Sequence, residues 1–343
     1  MKRNAHMLSV LAMVVALAAV AVARAAPPDN RNVNGTIWAA NRGADTIRGF
    51  DASSGDIVAT VAMAPASQPG DLAFAKGKLY VAEEMGVPPA IAIVDARTGA
   101  VLSRIAMPFG SRPHHVHASS GGDLVSVGLY GTDRVAVVDT ATDELLGAWD
   151  TDPSSTANRA HAGVFSNNGR TLYVASDVTS KLIALDPRTG EIFWTATVPN
   201  AHELAVTHDG KTAYVSGRTA GTLRIVDLET HEVVGDVDLG TNTMPDTLQL
   251  SANEKLLTVG LRIMPAQIAM VDTATLQFTK VTIGAPGSIA GHQWTSPSGR
   301  FTYAAHEGGT DPGIAVIDHD QGNAVVQQLA YPGRPHGVDL ARP

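Results

Sequence analysis

Histidine concentrates the reactive chemistry of this sequence. The chain has 12 histidines and no cysteine. Six of the histidines stand where an apolar alternating run begins: Pro335-His336-Gly337, Pro113-His114-His115, Ala160-His161-Ala162, Ala201-His202-Glu203 and Gly291-His292-Gln293. Two stretches of the same kind carry acids instead, Pro69-Gly70-Asp71 and Pro245-Asp246-Thr247. Where a second kind of run ends, the chain places Glu83-Glu84, Tyr130, Asp177, Arg218, Arg262 and His306-Glu307. Imidazole is the commonest protein ligand of zinc and copper, so several neutral rings aimed at one space would hold either metal. The expected ligands are His114, His115, His161, His202, His292, His306 and His336. Glu84 and Glu307 would then stand as general bases beside that metal. A second reading is structural: each ring caps a turn through backbone bonds, and Glu84 and Glu307 are ordinary loop carboxylates. His208, His231 and His319 fall in polar turns and are expected in solvent. His117 alternates with Val116 and is expected to pack between neighbouring sheets.

Whether those rings meet depends on the elements that carry them. An apolar alternating strand ending in aspartate recurs seven times, at Asp51, Asp95, Asp139, Asp186, Asp227, Asp272 and Asp318. The separations are 44, 44, 47, 41, 45 and 46 residues. A turn such as Ala96-Arg97-Thr98-Gly99 or Pro187-Arg188-Thr189-Gly190 follows, in which Asp accepts backbone N–H bonds and Gly supplies a positive φ. Beyond the turn lies another strand, for example Glu191 to Val198. Upstream comes a second apolar strand, as in Lys78-Leu79-Tyr80-Val81-Ala82 and Thr171-Leu172-Tyr173-Val174-Ala175. Before that stand a tight polar turn (Asn167-Asn168-Gly169) and a first strand such as Leu204 to Thr207. Four strands joined by short hairpins and repeated at this period predict a β-propeller.

The Leu-Tyr-Val-Ala strand, a short loop and the Ile-Ala-Ile-Val-Asp run with its Thr-Gly turn resemble the YVTN-type β-propeller repeat family, which is WD40-like and commonly seven-bladed. The resemblance covers nearly all of the chain past the first 25 residues and implies a fold more than an activity. The expected class is therefore all-β, one seven-bladed propeller over residues 26–343 with four-stranded antiparallel blades. The first repeat lacks a first strand, since Pro27 to Asn34 is not strand-like. Gly337-Val338-Asp339-Leu340-Ala341 supplies one, so the C-terminal strand is expected to complete blade 1 against Ile37, which removes open edges. In such a fold the first strand of each blade lines the central channel, and the histidine positions gather at its mouth. His114-His115-Val116-His117 is also similar to the doubled histidine and following third in the propeller domain of nitrous-oxide reductase, a likeness that implies copper. This chain has neither the cupredoxin domain nor the cysteines of that enzyme, so reductase activity is not expected.

Composition narrows the function further. Lys2 and Arg3, the apolar run Met7 to Ala23 and Ala23-Arg24-Ala25 form a Sec-type signal peptide over residues 1–25, predicting a periplasmic or extracellular protein. No other segment is apolar enough for a membrane span. Without cysteine there is no lipid anchor, disulfide or C-x-x-C-H haem attachment. The remainder carries 22 basic against 33 acidic residues, which disfavours nucleic acid and anionic membranes as partners. No Gly-x-Ser-x-Gly elbow, P-loop or dinucleotide fingerprint appears in a suitable setting. Three functions fit: a monomeric binding protein holding a metal ion or small ligand in the funnel; a metal-dependent hydrolase, lyase or lactonase-like enzyme at the same site; and a protein-interaction scaffold with no ligand. The first is preferred. The loops Thr151 to Ala160 and Ala285 to Ala290 are expected to overhang the funnel.

Overall fold

The computed structural model describes residues 33–153 and 159–342. The signal sequence expected at 1–25 and the middle of the Thr151 to Ala160 loop lie outside the described residues. Among those residues there are 28 strands in seven four-stranded antiparallel sheets and no helix. Blade 2 is representative: Pro69–Ala75, Lys78–Glu83, Ala90–Asp95 and Val101–Ala106 run from channel to rim. Blades 3 to 7 begin at the channel with Pro113–Ala118, Ala160–Phe165, Ala201–Val206, Pro245–Leu250 and Ser288–Thr295.

Blade 1 closes the ring as the repeat predicts. Its channel strand is Pro335–Ala341, paired to Thr36–Asn41 with Ile37 opposite Leu340 and Ala39 opposite Val338. Both termini of the described chain thus share one sheet, and no blade presents an unpaired strand to its neighbour.

Strand alternation explains how the blades hold together. In Lys78–Glu83, Leu79 and Val81 face blade 1, whereas Tyr80 and Ala82 face blade 3. Both faces of each sheet are therefore buried, which is why these strands read as nearly continuous apolar runs. The buried apolar residues form seven clusters, one at each junction of adjacent blades. Truncating a fully buried member such as Leu79 or Leu182 to Ala would cost about 2–5 kcal/mol.

The face away from the mouth is a ring of capped turns. Asp51, Asp95, Asp186, Asp227 and Asp272 each accept two backbone N–H bonds from the residues two and three positions on. Asp139 and Asp318 each accept one. The left-handed position four residues after the Asp is Gly55, Gly99, Gly190 or Gly322 in four blades, but Asp143, His231 and Leu276 in the other three. His231 is thus a turn residue outside the funnel, yet not free in solvent: it stacks on Trp194, centroids 4.1 Å apart. His319 bonds Thr302 and Asn323, and only His208 is largely exposed.

Candidate functional site

The site begins with a register irregularity that occurs in every blade. Each channel strand pairs regularly with the next strand except at its start, where it carries one extra residue. Pro113 and Val116 pair with Leu129 and Val127, so His114 and His115 share the place opposite Gly128. The same shift appears at Pro69/Asp71, Ala160/Ala162, Ala201/Leu204, Pro245/Leu248, Ala290/Gln293 and at Pro335 to Val338. A β-bulge bends the strand and re-aims side chains. Here it turns two consecutive residues per blade toward the axis, and two tiers result. The upper tier, at the mouth, holds His336, His114, His161, His202 and Asp246. The lower tier holds Asp71, His115, Glu203, Thr247 and His292. Glycine occupies some of these places for want of room: a Cβ on Gly70 would overlap the Glu84 carboxylate.

In the upper tier the His161 and His202 rings lie 3.5 Å apart, centroid to centroid, and His114 lies 5.0 Å from His161. His114 stacks on Tyr130 at 5.1 Å and meets Glu84 through Nδ1 at 2.8 Å. His202 Nε2 lies 2.5 Å from Asp246 and 2.7 Å from Arg218. In the lower tier His292 joins Asp71 through Nδ1 at 3.1 Å and His115 through Nε2 at 3.2 Å. His115 Nδ1 in turn touches the Glu203 carboxylate. The tiers meet where His115 lies 4.1 Å from His161 and His292 lies 4.8 Å from His336. All these rings except part of His114 are buried.

The lower chain Asp71–His292–His115–Glu203 has a proton deficit. It contains three polar contacts, but two neutral imidazoles carry only two N–H protons. Whichever tautomers are chosen, one contact opposes a bare ring nitrogen or carboxylate to another lone pair. Protonating His115 is unfavourable here. Burial pushes His115 well below the ordinary imidazole range, and the neighbouring His292 and His114 rings push it further. Burial and the neighbouring rings do the same to His161, and burial with Arg42 does so to His336. Burial opposes ionisation of Glu203, but the nearby His117 ring outweighs this and holds the carboxyl below its usual range. Several buried atoms consequently have no aligned hydrogen-bond partner: Nδ1 of His115, His161, His202 and His336, Nε2 of His117, and Oε2 of Glu203. Each such atom costs about 1–3 kcal/mol.

Four sets of three side chains bring their ligand atoms within 4.8 Å of one another. They are His114/His115/His161, His115/His292/His336, His115/His117/Glu203 and His161/His202/Asp246. The donors are nitrogen and oxygen only, a set suited to zinc or copper(II). Below the tiers the channel widens into a cavity of about 250 Å³ lined by His117, Glu203, Gln249, His292, Trp294 and Asp339 among others.

Six of the seven expected ligands therefore converge, and one does not. His306 Nε2 bonds Gln328 at 3.0 Å, and its other nitrogen faces Gly284. It sits on the second strand, Phe301–Gly308, whose side chains face the flanks of the blade and not the axis. Glu307, one residue on, points the other way and reaches the mouth. There it binds Arg262 at 3.0 Å and Arg334 at 2.8 Å. Glu84 is likewise tied to His114 and Arg42. Burial raises its carboxyl, but the His114 and Arg42 contacts outweigh burial and hold it down to about 2. Neither is placed as a base. His117 is also corrected. Past the bulge, alternation puts it on the same side as His115, so it faces the channel, 3.5 Å from Glu203, while Val116 packs between blades. The acids Glu203, Asp246 and Asp71 were visible in the starts of the channel strands, but nothing in those stretches marked Glu203 as the shared partner of three rings.

Comparison with known proteins bears on the fold. A sequence model described as YNCE-like beta-propeller matches residues 6–252. No curated protein matches the chain. Among solved structures, a Bacteroides uniformis protein described as a candidate 6-phosphogluconolactonase superposes with a TM-score of 0.69 at 17% identity, covering 90% of this chain and 100% of that one. The dihydro-heme d1 dehydrogenase NirN gives 0.64 at 15% identity, covering 89% and 75%. Kuenenia stuttgartiensis hydrazine synthase gives 0.62 at 16%, covering 74% and 77%. At such identities the likeness is one of fold.

Proposed function

The chain belongs to the YNCE-like β-propeller family, and from that premise we propose that it is a binding protein that holds one first-row transition-metal cation, zinc or copper, in the hub of its channel. The observation that carries this reading is the proton deficit along Asp71–His292–His115–Glu203. A cation seated against His115 and Glu203 removes the opposed lone pairs and supplies a partner to the unpaired ring nitrogens around them. His115 belongs to three of the four possible ligand sets, which makes it the pivotal donor. Filling the site with protons at His115, His161 or His336 instead is opposed by burial. The signal-like pattern of residues 1–25 supports a location outside the cytoplasm, where such a protein would take up or carry the ion. The two carboxylates expected as bases for a metal-dependent hydrolase or lyase, Glu84 and Glu307, are both engaged by arginine.

The test is metal content and titration. Protein purified from the periplasm should carry, or take up, about one equivalent of zinc or copper. His115→Ala and Glu203→Gln, checked for folding by circular dichroism, should each weaken binding at least about 100-fold, the scale of losing one ligand from a small donor set. Wild-type protein that binds neither metal would overturn the reading.

A further inference from the structure

The mouth above the upper tier differs in chemistry from the tiers beneath it. Among the described residues, six arginines stand around it: Arg42, Arg112, Arg159, Arg218, Arg262 and Arg334. They come from blades 1, 3, 4, 5 and 6, each from just before a channel strand or just after a second strand. Their carboxylate partners lie underneath. Glu84, Asp246 and Glu307 are only 3–5% exposed, whereas Arg112 is 46% and Arg334 is 55% exposed, and Arg159 is also exposed. Solvent at the mouth therefore meets guanidinium groups, on a chain whose net charge is −8. The exposed arginines are also anchored. Arg112 and Arg159 each stand 5.4 Å from the centroid of Tyr130, the ring that stacks on His114, and Arg334 is fixed to Glu307.

Arginine in place of lysine is the choice for planar, two-pronged recognition of oxyanions. The opposite end of the channel has the reverse character, with Asp71, Glu203 and Asp339 along its cavity. The channel is thus polarised along its axis, cationic at the mouth and carboxylate-lined below. A bare divalent cation is repelled by the first and attracted by the second, so the guanidinium end is built for something else.

We propose that the mouth is an anion seat, where a small molecule bearing a phosphate or two carboxylates binds over the upper histidine tier, its acid groups held by Arg112, Arg159 and Arg334. The seat shares the funnel with the metal site but requires no metal to form. It makes the protein a receptor for two ligands of opposite charge that meet at the hub.

Calorimetric titration of the mature protein with inorganic phosphate, and separately with malonate, tests this, each on metal-free and zinc-loaded protein. At low salt at least one anion should bind, and the two arms tell the phosphate source from the dicarboxylate one. The double variant Arg112→Ala/Arg334→Ala should weaken that binding at least about 10-fold, as expected when two charge-assisted contacts are lost. Both side chains are largely exposed, so the fold is retained. Arg97→Ala/Arg188→Ala, on the opposite face, should leave it unchanged. If neither anion binds, or the mouth variant binds as tightly as wild type, or the control variant loses as much, the seat does not exist. Zinc titrated in the same samples keeps the two readings apart: loss of one ligand's binding with the other intact sinks only that one.

Discussion

The two faces of this propeller treat their repeated positions in opposite ways. On the turn face, all seven blades place Asp at the end of the third strand, and in each blade that Asp accepts N–H bonds from its own turn. The partner is always two or three residues away. On the mouth face, the two bulge positions hold His, Asp, Glu, Thr, Gly or Ala by turns, and most of their partners lie in other blades, as far as 221 residues along the chain for Asp71 and His292. A repeated position that keeps one residue and one local partner closes a hairpin. A repeated position that varies, yet whose side chains converge, does something that no single blade needs for folding. The turn ring is satisfied; the hub is left with buried polar atoms that lack partners. That contrast gives stability to one face and, on the function proposed above, ligand chemistry to the other.

Three measurements would sharpen or break it. The largest effect should come from the seam that makes a hub possible. Removing residues 335–343 deletes the channel strand of blade 1 and exposes Ile37, Ala39 and the apolar junction with blade 7. The loss of several buried side chains should lower Tm by about 10 °C or more, and an unchanged thermal melt would sink this closure. An intermediate effect of opposite sign is expected in the hub itself. His115→Leu replaces an under-satisfied buried ring by an apolar side chain of similar size. Metal-free protein should become more stable by about 1–3 kcal/mol, while the rise in Tm on adding zinc disappears. A metal-free variant less stable than wild type would mean that the hub, like the turns, serves the fold.

The smallest effect belongs to a single turn. Asp272→Asn removes a carboxylate that accepts from Ala274, Thr275 and the Thr275 hydroxyl. Those bonds, the Thr275 backbone one foremost, hold its carboxyl below the ordinary range, as similar bonds do for Asp51, Asp95 and Asp227. A group whose pKa is depressed on folding contributes stability above its unfolded value of about 4, and that contribution is lost as pH falls through the folded value. Asp272→Asn should therefore cost about 2 °C or less in Tm at pH 7, and the gap between variant and wild type should close below pH 4. A gap that persists at low pH would show that charge is not what caps the turn.

Much of this was legible in the amino-acid order, and the boundary between what was and was not has a physical cause. Seven Asp-marked repeats and a lone C-terminal strand determined the blade count and the seam, because strand alternation, Asp capping and hairpin length act within a few residues. The same repeat placed six of the seven expected ligands at the hub. His306 was misplaced because its direction depends on which strand of the sheet borders the axis, and His117 because alternation restarts after the bulge. The register of blade 7 also moved: Ala290-Gly291-His292, one residue earlier than its sequence pattern suggested, is the true equivalent of Pro113-His114-His115, which puts His292 in the lower tier. Only the tertiary structure decided that there are two tiers, that Glu203 is shared by three rings and that guanidinium groups cover the mouth. A bulge is a relation between two strands, and a hub contact is a relation between blades brought together by ring closure; neither leaves a mark on the residues that flank it in the chain.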